Sequence, residues 1–430
     1  MKIAVIGMGY VGLVSAVVWT NLGHTVIGVE NNSEKLQRLL AGEAPFFEPG
    51  LHSALAEAMQ SGRLTFVETL VAGSTLELVF ICVGTPIGVD GLLNDQYLLE
   101  SARMVGMVGD ANLQVVIKST ILPKMSDKVL EEVRLGYEER GLVFKGGVYF
   151  SPEFLSEGSA LRDTLTPSRV VIGGEGLDQE NLVVKFLKSV TPEVVPIVIT
   201  DIRSAELSKL AANAMLASRI SFINELALVA DMVEGDINLV AKIIGLDPRI
   251  GPNFLKAGVG FGGGCFPKDT NSLINYAKTI GIKTGLLEAV VEVNQQAVIG
   301  FYNRVVSAFG DPVGKRLGIL GLAYKEGTDD LRSAAALEII ERWRRAGGMV
   351  VAFDPLVVKI QAEKLGITSL DDATAVLSEA DLLMVLTAEP EFINLDWERV
   401  SALYHGEIIG DGRRLYLAKV VNKAGFKLIT

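Results

Sequence analysis

The sequence predicts an α/β protein built on two doubly wound parallel sheets, joined by a long central helix and a helical region. Three observations predict it. Short apolar runs alternate with helical stretches over residues 1–200, the pattern of buried parallel strands with crossover helices. No Gly or Pro interrupts residues 201–234, where apolar residues recur at helical spacing. The strand and helix alternation then resumes at Leu317. At 430 residues the chain is too long for one ordinary domain. The expected division is residues 1–200, 201–310 and 311–430.

In the first region, residues 2–7 (KIAVIG) read as a strand, 11–22 as a helix and 25–30 (TVIGVE) as the second strand. Further strands are expected at 78–83, 114–118, 147–151 and 170–173. Gly7-Met8-Gly9-Tyr10-Val11-Gly12 closes the first strand and opens the helix, which fits G-x-G-x-x-G. Gly7 permits the tight turn, Gly9 lets backbone reach a pyrophosphate, and Gly12 lets the helix pack closely on the strand. Glu30 ends the next strand, where a carboxylate accepts ribose hydroxyls and repels a 2′-phosphate, so NAD is favoured over NADP. The fold reading is therefore Rossmann-like.

The central region is one long helix followed by more helical sequence to about residue 310. A span this apolar is suited to packing against a second subunit. In the last region, residues 317–325, a helix over 334–346 and the run MVVAFDP ending near Asp354 repeat the layout of the first unit, with strands at 381–386 and 407–409. Of the glycine fingerprint, Gly321 alone keeps its place.

Composition bounds the function. A net charge of −11 and a pI near 5.0 argue against a nucleic-acid partner. A mean hydropathy of +0.36 excludes a largely disordered chain. Two cysteines, Cys82 and Cys265, make no disulfide framework and fit a reducing cytoplasm. Residues 3–29 carry no Asp, Glu, Lys or Arg, but the glycines at 7, 9, 12 and 23 and the closing Glu30 argue against a membrane segment or leader. The three histidines are scattered, so no zinc pattern exists.

Cys265 ends the glycine-rich segment 258–264 and is followed by Phe266-Pro267-Lys268-Asp269. Lys268 and a helix start favour a thiolate, and the glycines allow a ligand to approach the backbone closely. A hydride acceptor and a nucleophilic cysteine together suit oxidation through a thiohemiacetal and a thioester. Lys209 and Asn213, spaced i, i+4, share a helix face and suit an oxyanion. Ser151 and Pro152 read as the start of a helix that places Glu153 and Glu157 on one face, either carboxylate being able to polarise water. Asp269 reads as the cap of a helix beginning near Thr270, or as a group orienting Lys209 and a water. Ser119 and Thr120 end a strand, where open α/β sheets bind ligands. Arg249, Lys256, Lys325, Arg332, Arg413 and Arg414 are a reserve of cations suited to a diphosphate.

These residues together resemble the UDP-glucose and GDP-mannose dehydrogenase family. The motifs run the length of the chain: GMGYVG at 7–12, VGTP at 83–86, KST at 118–120, SPEFLSEG at 151–158, ELSKLAANAMLASRISFINE at 206–225, FLKAGVGFGGGCFPKD at 254–269, LAYKEGTDDLR at 322–332 and DGRR at 411–414. The wording of SPEFL, SKLAANA and TPSRVVIG is most similar to the UDP-glucose branch. The resemblance implies a four-electron oxidation of UDP-glucose at C6 to UDP-glucuronate, with two NAD reduced per substrate. It implies Cys265 as nucleophile, Lys209 and Asn213 as oxyanion groups, and Glu153, Asp269 and a water held by Thr120 in proton transfer and hydrolysis. Contacts to NAD are implied for Gly7, Met8, Gly9, Tyr10, Val11, Gly12, Glu30, Lys35, Val83, Gly84, Thr85, Pro86, Ile87, Ser119, Thr120, Glu157, Cys265, Lys268 and Arg332. Contacts to the nucleotide-sugar are implied for Glu153, Phe154, Leu155, Glu157, Lys209, Asn213, Arg249, Phe254, Lys256, Gly260, Phe261, Gly262, Tyr324, Lys325 and Arg413. Arg249 matches the family arginine that reaches a neighbouring subunit's site, which implies a homodimer or higher homo-oligomer. The sequence departs from the family at 123–126, which read Pro-Lys-Met-Ser, and at Gly264, where serine is frequent. Three alternatives compete: a sister enzyme acting on GDP-mannose or a UDP-N-acetylhexosamine, a two-electron hydroxyacid-type dehydrogenase, which needs no cysteine, and a catalytically silent sensor.

Overall fold

The computed structural model describes residues 1–430, which divide into two compact units, Met1–Ala212 and Asn213–Thr430. The first unit carries an eight-stranded sheet: β1 (Lys2–Ile6), β2 (Thr25–Val29), β3 (Leu64–Val67), β4 (Leu78–Ile81), β5 (Gln114–Ile117), β6 (Val148–Phe150), β7 (Val170–Gly173) and β8 (Ile197–Thr200), in the order β3-β2-β1-β4-β5-β6-β7-β8. The order reverses at β1, so the crevice beyond the carboxyl ends of β1 and β4 is the topological switch point where such sheets bind ligands. One junction corrects the all-parallel expectation: β6 and β7 pair antiparallel, through Phe150 and Gly173 alone. Two apolar clusters cover the faces, one including Val14, Val17, Phe80, Cys82 and Val116, the other Ile81, Ile117 and Phe150. The central strands β1, β4 and β5 are buried on both sides, which is why they read as continuous apolar runs rather than alternating ones.

The second unit carries six strands: β9 (Arg316–Leu320), β10 (Met349–Phe353), β11 (Thr368–Ser369), β12 (Leu382–Val385), β13 (Ile408–Asp411) and β14 (Lys427–Ile429), ordered β11-β10-β9-β12-β13-β14 and parallel throughout. It repeats the first unit at its switch point. The Gly7 N–H donates to the Val29 carbonyl at 2.8 Å, and the Gly321 N–H to the Phe353 carbonyl at 2.9 Å. Both glycines have positive φ, 93° and 95°. Asp354 accepts from the Leu322 and Ala323 N–H groups much as Glu30 accepts from Met8 N–H.

The long helix is Ile202–Met232, 31 residues, close to the span read from the sequence. No helix is long and apolar enough to cross a membrane.

Candidate functional site

The turn after β1 is shaped by backbone crowding at two glycines and by open space at the third. A Cβ on Gly12 would lie 1.8 Å from the Gly7 carbonyl oxygen, and one on Gly7 would lie 2.9 Å from the Cys82 carbonyl. A Cβ on Gly9 would meet nothing within 4 Å. Gly9 is the N-cap of the helix Tyr10–Asn21, which has neither a side-chain cap nor an acid in its first turn. Its N–H groups and positive end are therefore offered to an outside anion. Glu30 is buried just past β2; its Oε2 accepts from Met8 N–H at 3.2 Å and its Oε1 from Asn32 N–H at 2.9 Å. This acid shapes the glycine turn from the carboxyl end of β2. These features fit a dinucleotide.

Around the turn, Met8 is fully buried. Tyr10 stacks on Phe46 with ring centroids 3.8 Å apart, and Val11 packs into the core. The Lys35 side chain is exposed, while its N–H donates to the Asn32 side chain. Two loops at the carboxyl ends of β4 and β5 are pinned together: Ser119 Oγ donates to the Val83 carbonyl at 2.7 Å, and Thr85 Oγ1 to the Thr120 carbonyl at 2.8 Å. Ser119 and Thr85 hydroxyls thus hold the loop itself. Gly84 has open space at its Cβ position, and Pro86 and Ile87 are exposed.

The expected helix at Ser151 is absent. Residues 151–158 are irregular, and the next helix is Ala160–Leu165. Ser151 donates its hydroxyl to the Val171 carbonyl of β7 at 2.9 Å instead of capping a helix, and Glu153 folds back to accept from Leu155 N–H at 2.8 Å. Glu153 and Glu157 are nonetheless both buried. Glu153 Oε1 accepts from Lys209 Nζ at 2.7 Å, an ion pair whose side chains are only 9% and 4% exposed. Burial alone would raise the Glu153 carboxyl. Lys209, Lys118 and the Leu155 N–H outweigh it and hold Glu153 below the usual carboxylate value. Phe154 lies between two cations, with the Arg169 guanidinium 3.6 Å and Lys209 Nζ 5.6 Å from its ring centre. Leu155 packs against the apolar core.

In the second unit, Asn213 Nδ2 donates to Asp269 Oδ2 at 2.6 Å, and Lys268 Nζ bonds Oδ1 of the same carboxylate at 2.6 Å. Asp269 is fully buried. It does not cap a helix at Thr270. The helix Phe266–Thr279 begins earlier, with Pro in its first turn and Cys265 as its N-cap residue, and Asp269 sits one turn inside, where a carboxylate is favourable. It orients Asn213 and Lys268. The Cys265 side chain is exposed at the helix start, the position that stabilises a thiolate.

The glycines before Cys265 answer to protein neighbours. A Cβ on Gly262 would lie 2.2 Å from the Ser333 carbonyl, one on Gly263 (φ 81°) 2.8 Å from the Tyr324 ring, and one on Gly264 2.5 Å from the Arg332 guanidinium carbon. Gly260 (φ 86°) would clash with Asn294, whose amide brackets Phe261 through its N–H at 2.7 Å and carbonyl at 3.0 Å. Gly258 N–H donates to Asn224 Oδ1 at 2.8 Å, and Val259 N–H to the Gly412 carbonyl at 2.9 Å. Close packing against the same unit is therefore a further reason for glycine at 260, 262 and 263.

The reserve of cations is partly committed. Arg413 gives Nε to the Leu386 carbonyl and an Nη to the Tyr324 carbonyl, both at 2.7 Å. Arg414 pairs with Asp231 at 2.7 Å. Arg332 is chelated by Asp330 at 2.7–2.9 Å. Arg249 is chelated by Asp247, with its side chain 87% exposed. Lys325 Nζ lies 5.6 Å from the Tyr324 ring centre. Lys256 and Phe254 are exposed. Sequence reasoning assigned no role to Lys118, Arg169, Asn224 or Asn294. Three of them, Lys118, Arg169 and Asn224, stand inside the family motifs; Asn294 acts through tertiary contact and has no local signal.

Comparisons with known proteins agree with this geometry. Residues 1–191, 203–296 and 318–418 match the NAD binding domain, the central domain and the UDP binding domain of the UDP-glucose/GDP-mannose dehydrogenase family. The chain is 35% identical to UDP-glucose 6-dehydrogenase TuaD of Bacillus subtilis, over 99% of this chain and 92% of that one. It is 37% identical to UDP-glucose 6-dehydrogenase of Rhizobium meliloti, over 99% and 98%. Among solved structures, a UDP-glucose dehydrogenase from Pyrobaculum islandicum superposes with a TM-score of 0.89 at 36% identity, covering 97% of this chain and 95% of that one. A UDP-D-ManNAc dehydrogenase from Pyrococcus horikoshii follows at 0.85 and 29%, covering 97% and 96%.

Proposed function

Because the chain belongs to the UDP-glucose/GDP-mannose dehydrogenase family and is an NAD-dependent nucleotide-sugar dehydrogenase, we propose that it oxidises UDP-glucose at C6 to UDP-glucuronate through a thioester on Cys265. The observation that carries the mechanism is the exposed thiol at the N-cap of Phe266–Thr279, held in a loop packed closely against Ser333 and Tyr324 at Gly262 and Gly263. NAD, when bound, accepts one hydride in each of two oxidations. In the first, the C6 hydroxyl loses its proton and a hydride and becomes an aldehyde. The Cys265 thiolate then adds to the aldehyde carbon, and the oxygen takes a proton to give a thiohemiacetal. Loss of the second hydride and that proton leaves a thioester, and water cleaves it to the carboxylate and the free thiol.

The buried groups have roles in this scheme. Lys209 and Asn213 supply the donors for the oxyanions that form at C6. Asp269 holds Asn213 in place, and Glu153, kept ionised, accepts a proton from the attacking water with Thr120 as its hydroxyl partner. The Gly7–Gly12 turn, the 83–87 loop and Glu30 hold NAD; Arg413, Lys325, Tyr324 and the 254–262 segment hold the nucleotide-sugar. Residues 1–200, 201–310 and 311–430 serve respectively as cofactor, central and nucleotide-sugar domains. Met215, Phe222, Val229 and Met232 leave an exposed apolar side on the long helix. We assign this side to a second copy of the chain, with Arg249 completing the neighbour's site; light scattering tests it.

A second reading, a sister nucleotide-sugar dehydrogenase, draws support from the likeness to the UDP-D-ManNAc dehydrogenase. One experiment separates the two and tests the thioester: NADH counted per substrate across UDP-glucose, GDP-mannose and UDP-N-acetylmannosamine. The expected result is two NADH per UDP-glucose, with Cys265→Ala binding NAD but forming no acid. A ratio of one with a carbonyl product sinks the thioester scheme.

A further inference from the structure

We infer that Lys118 is a positioning residue for this reaction: its charge keeps Glu153 ionised when Lys209 is drawn toward an oxyanion at C6. The inference deepens the function proposed above and rests on it.

The sheet brings the group together. Registers Ile81↔Ile117 and Ile117↔Phe150 place Cys82, Lys118 and Ser151 one residue beyond the carboxyl ends of β4, β5 and β6. Side chains alternate along a strand, so Lys118 shares the face of Val116. That face belongs to the cluster that also contains Cys82 and the core side of Tyr10–Asn21. Lys118 is half-buried there. The titratable groups that face it are Cys82 from the end of β4, Glu153 from beyond β6 and Lys209 from the long helix.

Glu153 has only one cation at contact distance. Lys209 takes Oε1 at 2.7 Å, and the Leu155 N–H takes Oε2 at 2.8 Å. In the proposed chemistry that same Lys209 ammonium must serve an oxyanion. Each time it does, a buried carboxylate loses its ion pair, and an uncompensated buried carboxylate takes up a proton. Glu153 would then be lost as the acceptor for the hydrolytic water at the step that needs it. A second cation on the same side removes the conflict, and Lys118 is that cation: it is the other lysine whose charge lowers Glu153. Its own ammonium is held below the ordinary lysine value by burial and by Lys209, with Cys82 and Glu153 opposing. The two lysines therefore compete for one carboxylate, which frees Lys209 to move.

The test follows the Glu153 carboxyl directly by 13C NMR of side-chain-labelled glutamate, with Glu153→Gln assigning the resonance. Lys209→Met mimics the withdrawn lysine. In Lys209→Met/Lys118→Met the Glu153 midpoint should rise by a further unit or so above that in Lys209→Met, a tenfold shift in its proton affinity. Lys209→Met/Lys118→Arg should return it most of the way. Equal midpoints in the Lys209→Met and double Met variants would overturn the proposal, as would a Met shift that arginine fails to reverse. Where Lys118→Met does not fold, Lys118→Gln takes its place. In turnover, the acid limb of the kcat profile should move to higher pH in Lys118→Met and return in Lys118→Arg; an unmoved limb counts against the idea however low kcat falls. The NMR arm needs no substrate, so failure of every nucleotide-sugar to react defeats the proposed function and leaves the Lys118 result readable.

Discussion

Replacing Lys209 by methionine keeps an unbranched side chain, one atom shorter, and removes its charge. Its partner Glu153 is then left 9% exposed with no ion pair. Breaking a buried pair from one side costs about 3–5 kcal/mol, most of it the uncompensated charge. Solvent screening reduces this little, since both side chains are nearly inaccessible. The unit that holds the pair spans Met1–Ala212. For domains of that size about 1 kcal/mol moves Tm by roughly 2–4 °C, so a drop of about 6–12 °C is expected at the low end of the cost. Scanning calorimetry at pH 7 measures it, and the transition of this unit is the one that NAD raises. Lys209→Met/Glu153→Gln should recover most of the loss, because the carboxylate that lost its partner is then neutral. The sign with pH follows from the lowered Glu153 value. The pair's stabilisation is complete above the unfolded carboxyl value of 4.5 and is lost as pH falls through the lower, folded value. Glu153→Gln flattens that acid window. A double variant as unstable as Lys209→Met alone would refute the reasoning, since the cost would then come from lost packing.

Other outcomes are expected from single positions. Gly9→Ala should fold normally and bind NAD at least tenfold more weakly by isothermal titration, because its Cβ enters only the space offered to phosphate. Gly12→Ala places a methyl 1.8 Å from the Gly7 carbonyl and should lose the folded turn, read as a lowered Tm without ligand. Glu206→Gln should loosen the start of the helix Met125–Glu139: fully buried Glu206 accepts from Lys124 N–H at 2.8 Å, Ser126 N–H at 3.1 Å and Ser126 Oγ at 2.6 Å. A loss of about 1.5–3 kcal/mol is expected, with faster hydrogen exchange confined to that helix start.

Much of this architecture was legible because the signals were local. The strands with long apolar runs, the glycine turn with Glu30, and the uninterrupted helix were all read from neighbours in sequence. The strands β3, β8, β11 and β14 escaped notice: they are two to four residues long, and all four are sheet edges with little periodicity to show. The segment at Ser151 misled because Ser-Pro-Glu is a sound helix-start signature. A carbonyl twenty residues away, on Val171, took the hydroxyl that would have capped it. Asp269 was recognised as important, but its bond with Asn213 was not read, since Asn213, 56 positions distant, is brought to it only by folding. Lys118 was hidden for the same reason; a lysine ending a strand carries no mark of the carboxylate it will face.

The clearance at Gly262, Gly263 and Gly264 sets how the nucleophile is mounted. A run of glycines suggests slackness, but here each missing side chain is a fitted joint against residues 324–333. The thiol is carried on that segment as on a bracket, so whatever displaces Tyr324 or Arg332 re-aims Cys265. Damage to the joint has its repair on the far side. Suppressors of a bulky change at Gly263 belong at Tyr324, and those of one at Gly264 belong at Arg332. The history of substitutions in this loop is therefore written in two places of the chain at once.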